Sequence, residues 1–563
     1  MVLSGKNKEP ETVAEGFLSA LSAWKVDYLF ANGGTDFPPI IEALARYRTA
    51  GIDAPQAVVV PHENLAMAMA HGHTMVSGRP QAVMVHVNVG TANTINGLLN
   101  ASRANIPILL AAGRTPITEY GGPAGSRTRF IQWAQEMFDQ GAMVREATKW
   151  DVELRTPGQV GSVVDRALSV ATSTPMGPVY MSLPREVLAA DLPAQGGISR
   201  PERHQVPTPA APDEEAVKAI AGMLAAANKP LIITADSGRD PAAMDALGSF
   251  AERFAIPVVS HFPRYLCLRS DHQMHAGFEP GPLLAEADVV IVLECDVPWI
   301  PNHVMPPEDC KVVHVGADPL FASYPLRDFP CDLAIATGSV TFLDALSPVL
   351  AALTNDMGPA IEERRRILTK DNNKLPPTAD NSSAWIAHCL NEIKTDDTIV
   401  IGEMGLDPSN ISFTRPQTFF SASPAGGLGW GLGAAIGAKL AAPDRPVVAV
   451  VGDGSYMFGN PTPAHLVAQT LDTPVLIIVA NNGKWNAVER ATRGMYPDGH
   501  ATAANAMPLT QFDQSPAYEK ISEAGGGYGE KVENSEDLPG ALARAWKIVN
   551  EEGRQALVNV VST

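Results

Sequence analysis

Two clusters of polar residues in the last third of the chain follow apolar runs. The first run, residues 447–451, leads into GDGS at 452–455, and the second, residues 475–480, ends in NNG at 481–483. Such runs are typical of strands buried on both faces, and the carboxyl ends of parallel strands meet at one sheet edge. Asp453 and Asn482 offer the oxygen ligands that Mg²⁺ or Ca²⁺ prefer, while the Gly454 N–H and the Ser455 hydroxyl can bind a phosphate. The spacing therefore predicts a site for a metal ion and an anion.

Together with the NN doublet, the GDG motif resembles the signature of thiamine diphosphate enzymes, in which a metal ion ties the cofactor's diphosphate to the protein. Further stretches extend the resemblance along the chain: GGTD (33–36), HE (62–63), HVNVGTAN (86–93), GPVYMSLP (177–184) and AGGLGW (425–430). The whole chain resembles the acetolactate synthase and pyruvate decarboxylase group, and within that group it is most similar to benzoylformate decarboxylase.

The resemblance implies which residues hold the two cofactors, thiamine diphosphate and Mg²⁺. Glu63 opens an almost wholly apolar helix and would share a proton with the aminopyrimidine ring, because apolar surroundings favour a protonated carboxyl group. Leu428 would wedge between the two cofactor rings and enforce their bent shape. The other implied positions are Asn93, Gly426, Gly454, Ser455 and Asn482 for the cofactor, and Asp453, Asn482 and the backbone carbonyl of Lys484 for the metal ion.

The resemblance also implies catalytic residues besides Glu63. Benzoylformate decarboxylase uses a serine in its first glycine turn, where Thr35 stands here. It also uses two active-site histidines, matched by His86 within HVNVGTAN and by His272 within HQMHAGFEP, with His275 as the alternative to His272. Groups that titrate near neutrality suit the proton transfers that follow loss of CO₂.

The expected reaction is the non-oxidative decarboxylation of a 2-oxo acid to an aldehyde, and the expected partner is that small molecule. The alternative is a carboligase or lyase that forms or cleaves acyloins, as acetolactate synthase does. Ala422 and Ala491 replace the aromatic residues that line the phenyl pocket of benzoylformate decarboxylase, so a larger or more polar substrate group is expected, with Trp485 or Arg490 near it. A non-catalytic cofactor-binding protein is disfavoured by the presence of Glu63.

Short strands that alternate with helices predict an α/β fold with three doubly wound parallel-sheet domains. The expected pyrimidine-binding domain covers residues 1–190, the central domain 213–354 and the diphosphate-binding domain 383–563. Linkers are expected at 191–212, which is rich in Pro and Gly, and at 355–382. The charge run at 362–366 is expected to be a solvated helix face.

Composition limits the classes of partner. The 563 residues carry a net charge of −19, which argues against nucleic acid or an anionic membrane as partner. Five scattered cysteines and the lack of any apolar run of about 18 residues favour a cytoplasmic protein. The resemblance further implies a homo-oligomer, a dimer of dimers, with Glu63 of one subunit facing the metal and diphosphate of another.

Overall fold

The computed structural model describes residues 9–193, 197–354, 358–368, 376–512 and 515–562. These residues form three sheets of parallel strands flanked by helices, which confirms the predicted α/β class.

The first sheet has six strands in the order β2-β1-β3-β4-β6-β5 once they are numbered along the chain. The strands are β1 (Tyr28–Ala31), β2 (Gln56–Val59), β3 (Gln81–Val85), β4 (Ile108–Arg114), β5 (Asp151–Glu153) and β6 (Val179–Pro184). The helices are α1 (Val13–Ala23), α2 (Pro38–Ala50), α3 (Glu63–Ser77), α4 (Val87–Arg103), α5 (Ile131–Ala134), α6 (Val160–Thr172) and α7 (Arg185–Ala189). Every residue of β3 and β6 is buried, as expected for central strands covered on both faces.

The second sheet has five strands, β7 (Pro230–Thr234), β8 (Val258–Ser260), β9 (Val289–Leu293), β10 (Lys311–Gly316) and β11 (Leu333–Ala336), in the order β11-β10-β9-β7-β8. Its helices are α8 (Glu214–Ala226), α9 (Pro241–Phe254), α10 (Gly281–Leu284), α11 (Ser339–Leu353), α12 (Gly358–Leu368) and α13 (Ser383–Ile393).

The third sheet repeats the strand order of the first as β13-β12-β14-β15-β17-β16. Its strands are β12 (Ile399–Glu403), β13 (Phe419–Ser421), β14 (Val447–Gly452), β15 (Leu476–Asn481), β16 (Tyr528–Val532) and β17 (Ala556–Val561). The helices are α14 (Gly431–Ala441), α15 (Asp453–Phe458), α16 (Pro461–Thr470), α17 (Asn486–Met495), α18 (His500–Ala503), α19 (Tyr518–Ala524) and α20 (Leu538–Asn550).

The chain divides into two compact units. One comprises the residues up to 207 together with 403–405 and those from 422 onward, and the other comprises 208–402 and 406–421. Within the first unit α3 packs against α14 through small residues. A Cβ atom on Gly72 would lie 2.2 Å from the carbonyl oxygen of Ala434, and one on Gly437 would lie 2.0 Å from that of Met69. The two helices can approach this closely only because both positions are glycine.

The predicted linker at 355–382 contains a helix, α12, which carries the charge run 362–366. Glu362, Glu363 and Arg366 are exposed, as expected for a solvated face. Arg364 instead donates to the carbonyl oxygens of Ala227 and Phe254, so this side of the helix caps neighbouring backbone. The domain boundaries drawn from the sequence stay predictions. Among the described residues, the helices are too short or too polar to span a bilayer.

Candidate active site

The GDGS motif spans the last residue of β14 and the first turn of α15, and the NNG motif begins at the last residue of the neighbouring β15. Asp453 is 3% exposed, and its two carboxylate oxygens accept the N–H groups of Gly454 and Gly483, each at 2.8 Å. Burial raises the pKa of Asp453, and the backbone N–H groups oppose that rise. The structure therefore brings the two motifs together at one sheet edge, as their spacing predicted.

The donor set around Asp453 fits a divalent cation. No ion pair within the described ranges includes Asp453, and the partners of its carboxylate are backbone N–H groups. A buried carboxylate without a cation is costly, so the site favours a bound positive charge. The amide oxygen of Asn482 accepts the Lys484 N–H at 3.1 Å, and the Lys484 carbonyl accepts only the Asn486 N–H, at 3.0 Å, among the described backbone groups. Each of these oxygens has a second lone pair with which to bind a metal ion.

Trp485 lies over the GDGS turn. A Cβ atom on Gly454 would be 2.3 Å from the Trp485 ring, so glycine is required there. The indole packs edge-on against Phe458 and Phe512, with ring centroids 5.7 and 4.9 Å away. The sequence suggested Trp485 as a neighbour of the substrate; in the structure it contacts the turn proposed to bind the diphosphate.

Glu63 is the first residue of α3 and is 8% exposed. His62 is the N-cap residue of this helix, and its ring nitrogen accepts the Asn64 N–H at 3.2 Å. One carboxylate oxygen of Glu63 accepts a hydrogen bond from the side chain of Asn93 at 3.1 Å. Two of the residues that the resemblance assigned to the cofactor, Glu63 and Asn93, therefore contact each other across α3 and α4.

The glycine-rich turn before α14 holds Leu428. Gly426 and Gly429 adopt φ values of +67° and +91°, which only glycine adopts without strain. The Leu428 carbonyl accepts a hydrogen bond from Asn96 of α4 at 3.1 Å. The helix that carries Asn93 thus also contacts the turn proposed to bend the cofactor.

Glu403, which was not predicted from the sequence, holds this turn from a neighbouring strand. It ends β12, is 1% exposed, and accepts the N–H groups of Gly429, Trp430 and Gly431 at 2.8, 3.2 and 2.6 Å. Burial raises the pKa of Glu403 to about 7, against the opposing effect of these three donors. The available signal was an acidic residue at the end of an apolar run, at 399–403.

His86 is held by Asp36, which follows Thr35 in the GGTD motif. The Nδ1 atom of His86 lies 2.5 Å from Asp36 Oδ1, and this hydrogen bond raises the pKa of His86 while burial lowers it. A Cβ atom on Gly34 would be 2.1 Å from the His86 ring, so this glycine makes room for the imidazole. Thr35 itself is exposed, and its carbonyl oxygen accepts a hydrogen bond from Arg185 at 3.0 Å. The sequence predicted Thr35 and His86 as catalytic residues, but it did not single out Asp36.

His272 lies in the second unit. Its Nδ1 atom accepts the Met274 N–H at 3.1 Å, and its Nε2 atom is 4.0 Å from Glu252 of α9. Burial lowers the pKa of His272. Its alternative, His275, packs edge-on against Phe278. The role proposed for either histidine stays a prediction.

Comparison with protein-family models matches three segments of the chain. Residues 11–143 match the N-terminal binding domain of thiamine pyrophosphate enzymes, residues 217–346 the central domain, and residues 401–560 the C-terminal binding domain. The three segments include Thr35, Glu63 and His86 in the first, His272 in the second, and the GDGS and NNG motifs in the third.

Individual relatives span nearly the whole chain. A probable 2-ketoarginine decarboxylase of Pseudomonas aeruginosa is 26% identical over 94% of this chain and 90% of its own length. The acetolactate synthase large subunit of Lactococcus lactis is 24% identical over 97% of this chain and 92% of its own length. The crystal structure of benzoylformate decarboxylase from Polynucleobacter necessarius aligns with a TM-score of 0.78 at 22% identity, covering 98% of this chain and 99% of that one.

Proposed function

Because this chain belongs to the thiamine pyrophosphate enzymes, we propose that it decarboxylates a 2-oxo acid non-oxidatively to an aldehyde, with thiamine diphosphate and Mg²⁺ as cofactors. The observation that carries the proposal is the pairing of Glu63 with Asn93 on α4, the same helix that contacts the carbonyl of Leu428. This arrangement supports a carboxyl group held in a fixed position, ready to meet the cofactor that another subunit binds through its metal and diphosphate residues.

The residues of the site have separate tasks in this reaction. When bound, thiamine diphosphate supplies the nucleophilic carbon and the electron sink that decarboxylation of a 2-oxo acid requires. Glu63 holds the proton shared with the cofactor's pyrimidine ring. Asp453, Asn482 and the Lys484 carbonyl hold Mg²⁺. Gly454 and Ser455 bind the diphosphate at the start of α15 through their N–H and hydroxyl groups.

His86 is the proposed proton donor and acceptor for the substrate-derived groups. Its Nδ1 atom is engaged by Asp36, so its Nε2 atom is the one that can exchange protons with substrate. The side-chain amide of Gln135 lies 3.3 Å from Nε2 and steadies the ring. Thr35 is exposed beside this pair and is proposed to contact the substrate. His272 is retained as a second candidate for proton transfer.

The substrate is proposed to carry a polar or bulky side chain. Ala422 is half-buried and Ala491 is exposed, so neither position supplies an aromatic wall for a phenyl group. The relative named as a probable 2-ketoarginine decarboxylase supports a 2-oxo acid with a cationic side chain. The substrate panel should therefore include a guanidino 2-oxo acid beside benzoylformate and short aliphatic acids.

The protein is further proposed to be a cytoplasmic homo-oligomer, a dimer of dimers. Three aromatic side chains of the segment 115–140, Tyr120, Phe130 and Phe138, are almost fully exposed. Three large apolar side chains this exposed within one segment support a protein interface there. Light scattering with and without cofactors would measure the assembly.

The function is tested by CO₂ release from this panel with thiamine diphosphate and Mg²⁺ present. We expect one acid to yield CO₂ and its aldehyde, and we expect Glu63→Gln, which keeps the shape of the side chain, to abolish the reaction. CO₂ accompanied only by an acyloin would favour the carboligase alternative, which the acetolactate synthase relative supports. No CO₂ from any acid, with cofactor demonstrably bound, would refute the decarboxylase.

A further inference from the structure

The first asparagine of the NNG motif makes its contacts inside the protein. Asn481 ends β15 and is 1% exposed, whereas Asn482, the residue proposed to bind the metal ion, is only half-buried. The Nδ2 atom of Asn481 donates to the Oδ1 atom of Asn559 at 2.9 Å and to the Ser515 hydroxyl at 2.8 Å. Its Oδ1 atom accepts the N–H of Gly483 at 3.2 Å. Asn481 therefore connects the interior of the protein to the turn that follows it.

Three buried side chains lead to this turn. Asn559 lies on β17, next to β15, and is also 1% exposed. Its Nδ2 atom donates to the Oε2 atom of Glu519 on α19 at 2.9 Å. A carboxylate oxygen only accepts, so Asn559 must turn its amide oxygen towards Asn481, and Asn481 must then turn its own oxygen towards the Gly483 N–H. Glu519, Asn559 and Asn481, which we call the buried network, therefore have one direction of hydrogen bonding from the carboxylate to the turn.

The buried network meets the metal site at one backbone N–H group. Besides Asn481, the N–H of Gly483 donates to the Oδ2 atom of Asp453 at 2.8 Å. The Gly483 carbonyl in turn accepts the N–H of Phe512 at 2.8 Å. Both peptide groups that flank Gly483 are therefore held, and one of their bonds is made by a carboxylate proposed to bind the metal ion.

The carbonyl of Lys484, another proposed metal ligand, belongs to the next peptide group. The N–H of Trp485 is part of the same peptide group and donates to the Thr510 carbonyl at 2.7 Å. In a trans peptide the N–H and C=O groups point in opposite directions, so this bond fixes the direction of the Lys484 carbonyl. Three consecutive peptide groups of the turn are therefore held by partners outside it.

We propose that the buried network positions the turn 482–484 against Asp453 and so sets the affinity of the metal site. This inference rests on the proposed function, which supplies the identity of the metal ligands. Asn559 and Glu519 are positioning residues, since they act on the turn through Asn481. All of these residues belong to the third sheet of one chain and the helices and loops around it, so the network is complete within a single subunit.

The first test uses the full-length protein without cofactors and measures amide hydrogen exchange at Gly483. Asn559→Leu, which is similar in size, removes the acceptor of the Asn481 amide and the donor to the Glu519 carboxylate. We expect the Gly483 amide to exchange about tenfold faster or more, because buried polar groups that lose a partner destabilise the arrangement that holds them. Glu519→Ala serves as the second variant should Asn559→Leu fail to fold. Unchanged exchange at Gly483 in the folded variants would overturn the proposal.

Two further variants separate positioning from a general loss of stability. Glu519→Gln keeps a side-chain oxygen that can accept the Asn559 hydrogen bond, so it should restore most of what Glu519→Ala loses. Thr473→Val is the matched control, because Thr473 is 3% exposed and its hydroxyl donates to the Ala468 carbonyl at 3.2 Å. Thr473 precedes β15, at the opposite end of the strand from the turn. Thr473→Val should therefore lower the Tm and leave exchange at Gly483 as in the wild type.

The second test measures the affinity of the metal site with Mn²⁺ in place of Mg²⁺, in the presence of thiamine diphosphate and without substrate. Electron paramagnetic resonance distinguishes free from bound Mn²⁺ and so gives its Kd. We expect the Kd to rise about tenfold or more in Asn559→Leu and Glu519→Ala, and to stay within about threefold of the wild type in Glu519→Gln and Thr473→Val.

A wild-type Kd in Asn559→Leu, or a Kd raised as much in Thr473→Val, would overturn the positioning role. Failure of the proposed function would appear separately, as wild-type protein that binds Mn²⁺ with an affinity that depends on the buried network but releases no CO₂ from any 2-oxo acid.

Discussion

The Nδ1 atom of His86 and the Oδ1 atom of Asp36 are 2.5 Å apart, and the second Asp36 oxygen accepts the Val87 N–H at 3.2 Å. Asp36 thus binds the imidazole and the backbone that follows it. Val87 has a φ of +34°, a rare value for a β-branched residue, so this contact holds a strained backbone. The position of the imidazole is therefore set by a carboxylate that is itself 4% exposed.

Replacing Asp36 with Asn should lower the pKa of His86, because the hydrogen bond to the carboxylate is the largest cause that raises it. If His86 acts as an acid during turnover, the alkaline limb of the rate profile should move to lower pH in Asp36→Asn. NMR titration of labelled histidine measures the pKa directly. A limb that stays in place while the His86 pKa falls would exclude His86 as that acid.

The same pair should make stability depend on pH. The folded-state pKa of His86 is raised above the unfolded value of about 6.5, so the stabilisation is fully present below that pH. It is lost as the pH rises through the folded-state pKa. The difference in free energy of unfolding between wild type and Asp36→Asn should therefore shrink at high pH. A constant difference from pH 5 to 9 would show that Asp36 contributes through Val87 alone.

Glu403→Gln should loosen the turn that carries Leu428. The amide keeps one acceptor oxygen, so at least one of the N–H groups of Gly429, Trp430 and Gly431 loses its partner, at a cost of about 1–3 kcal/mol. Amide exchange at these three residues measures the free energy of local opening. Glu308→Gln, at an exposed position, is the control. Equal protection in both variants would contradict a role for Glu403 in holding the turn.

Removal of the metal should reverse a cofactor-dependent rise in Tm. A ligand at a hundred times its Kd stabilises the folded state by about 2.7 kcal/mol. We expect thiamine diphosphate with Mg²⁺ to raise the Tm, EDTA to remove most of the rise, and Asp453→Asn to show little of it. Asp444→Asn, at an exposed position, should behave as wild type. If the Tm of Asp453→Asn rose as much as that of the wild type, the metal ion would have to bind elsewhere.

Gly454→Ala should weaken cofactor binding through Trp485. The added methyl group would meet the indole at 2.3 Å and must displace it. We expect the Kd of thiamine diphosphate to rise about tenfold or more in Gly454→Ala, and Trp485→Ala in the same chain to restore part of the loss. Calorimetry on the wild type, the two single variants and the double variant gives the coupling energy between residues 454 and 485. Zero coupling would mean that the methyl group blocks the diphosphate directly.

Local patterns made the strands and the polar loops after them predictable. The apolar run 289–293 coincides with β9, and the run 447–451 with β14 less one residue. Residues placed by the end of a buried strand, such as Asp453, follow from the same pattern, because parallel strands end together at one edge.

The residues that support the site could not be predicted in this way. Asn100 and Asn96 meet the glycine turn across 327 and 332 residues of sequence. Nothing near them in the sequence separates them from ordinary helix asparagines. Asp36 ends the GGTD motif, but its partner His86 is 50 residues away in the sequence. Such contacts depend on how helices pack, which local periodicity does not report.

The first and third sheets have the same strand order, so α3, which follows β2, and α14, which follows β13, are equivalent elements of two like folds. Helix α3 begins with Glu63, and the loop before α14 contains Leu428. The start of this helix therefore carries an acidic residue in the first domain, and a glycine turn precedes it in the third. The glycines at the crossing of α3 and α14, Gly72 and Gly437, therefore join two equivalent elements, and the close contact of the two sheets' helices depends on this internal near-symmetry.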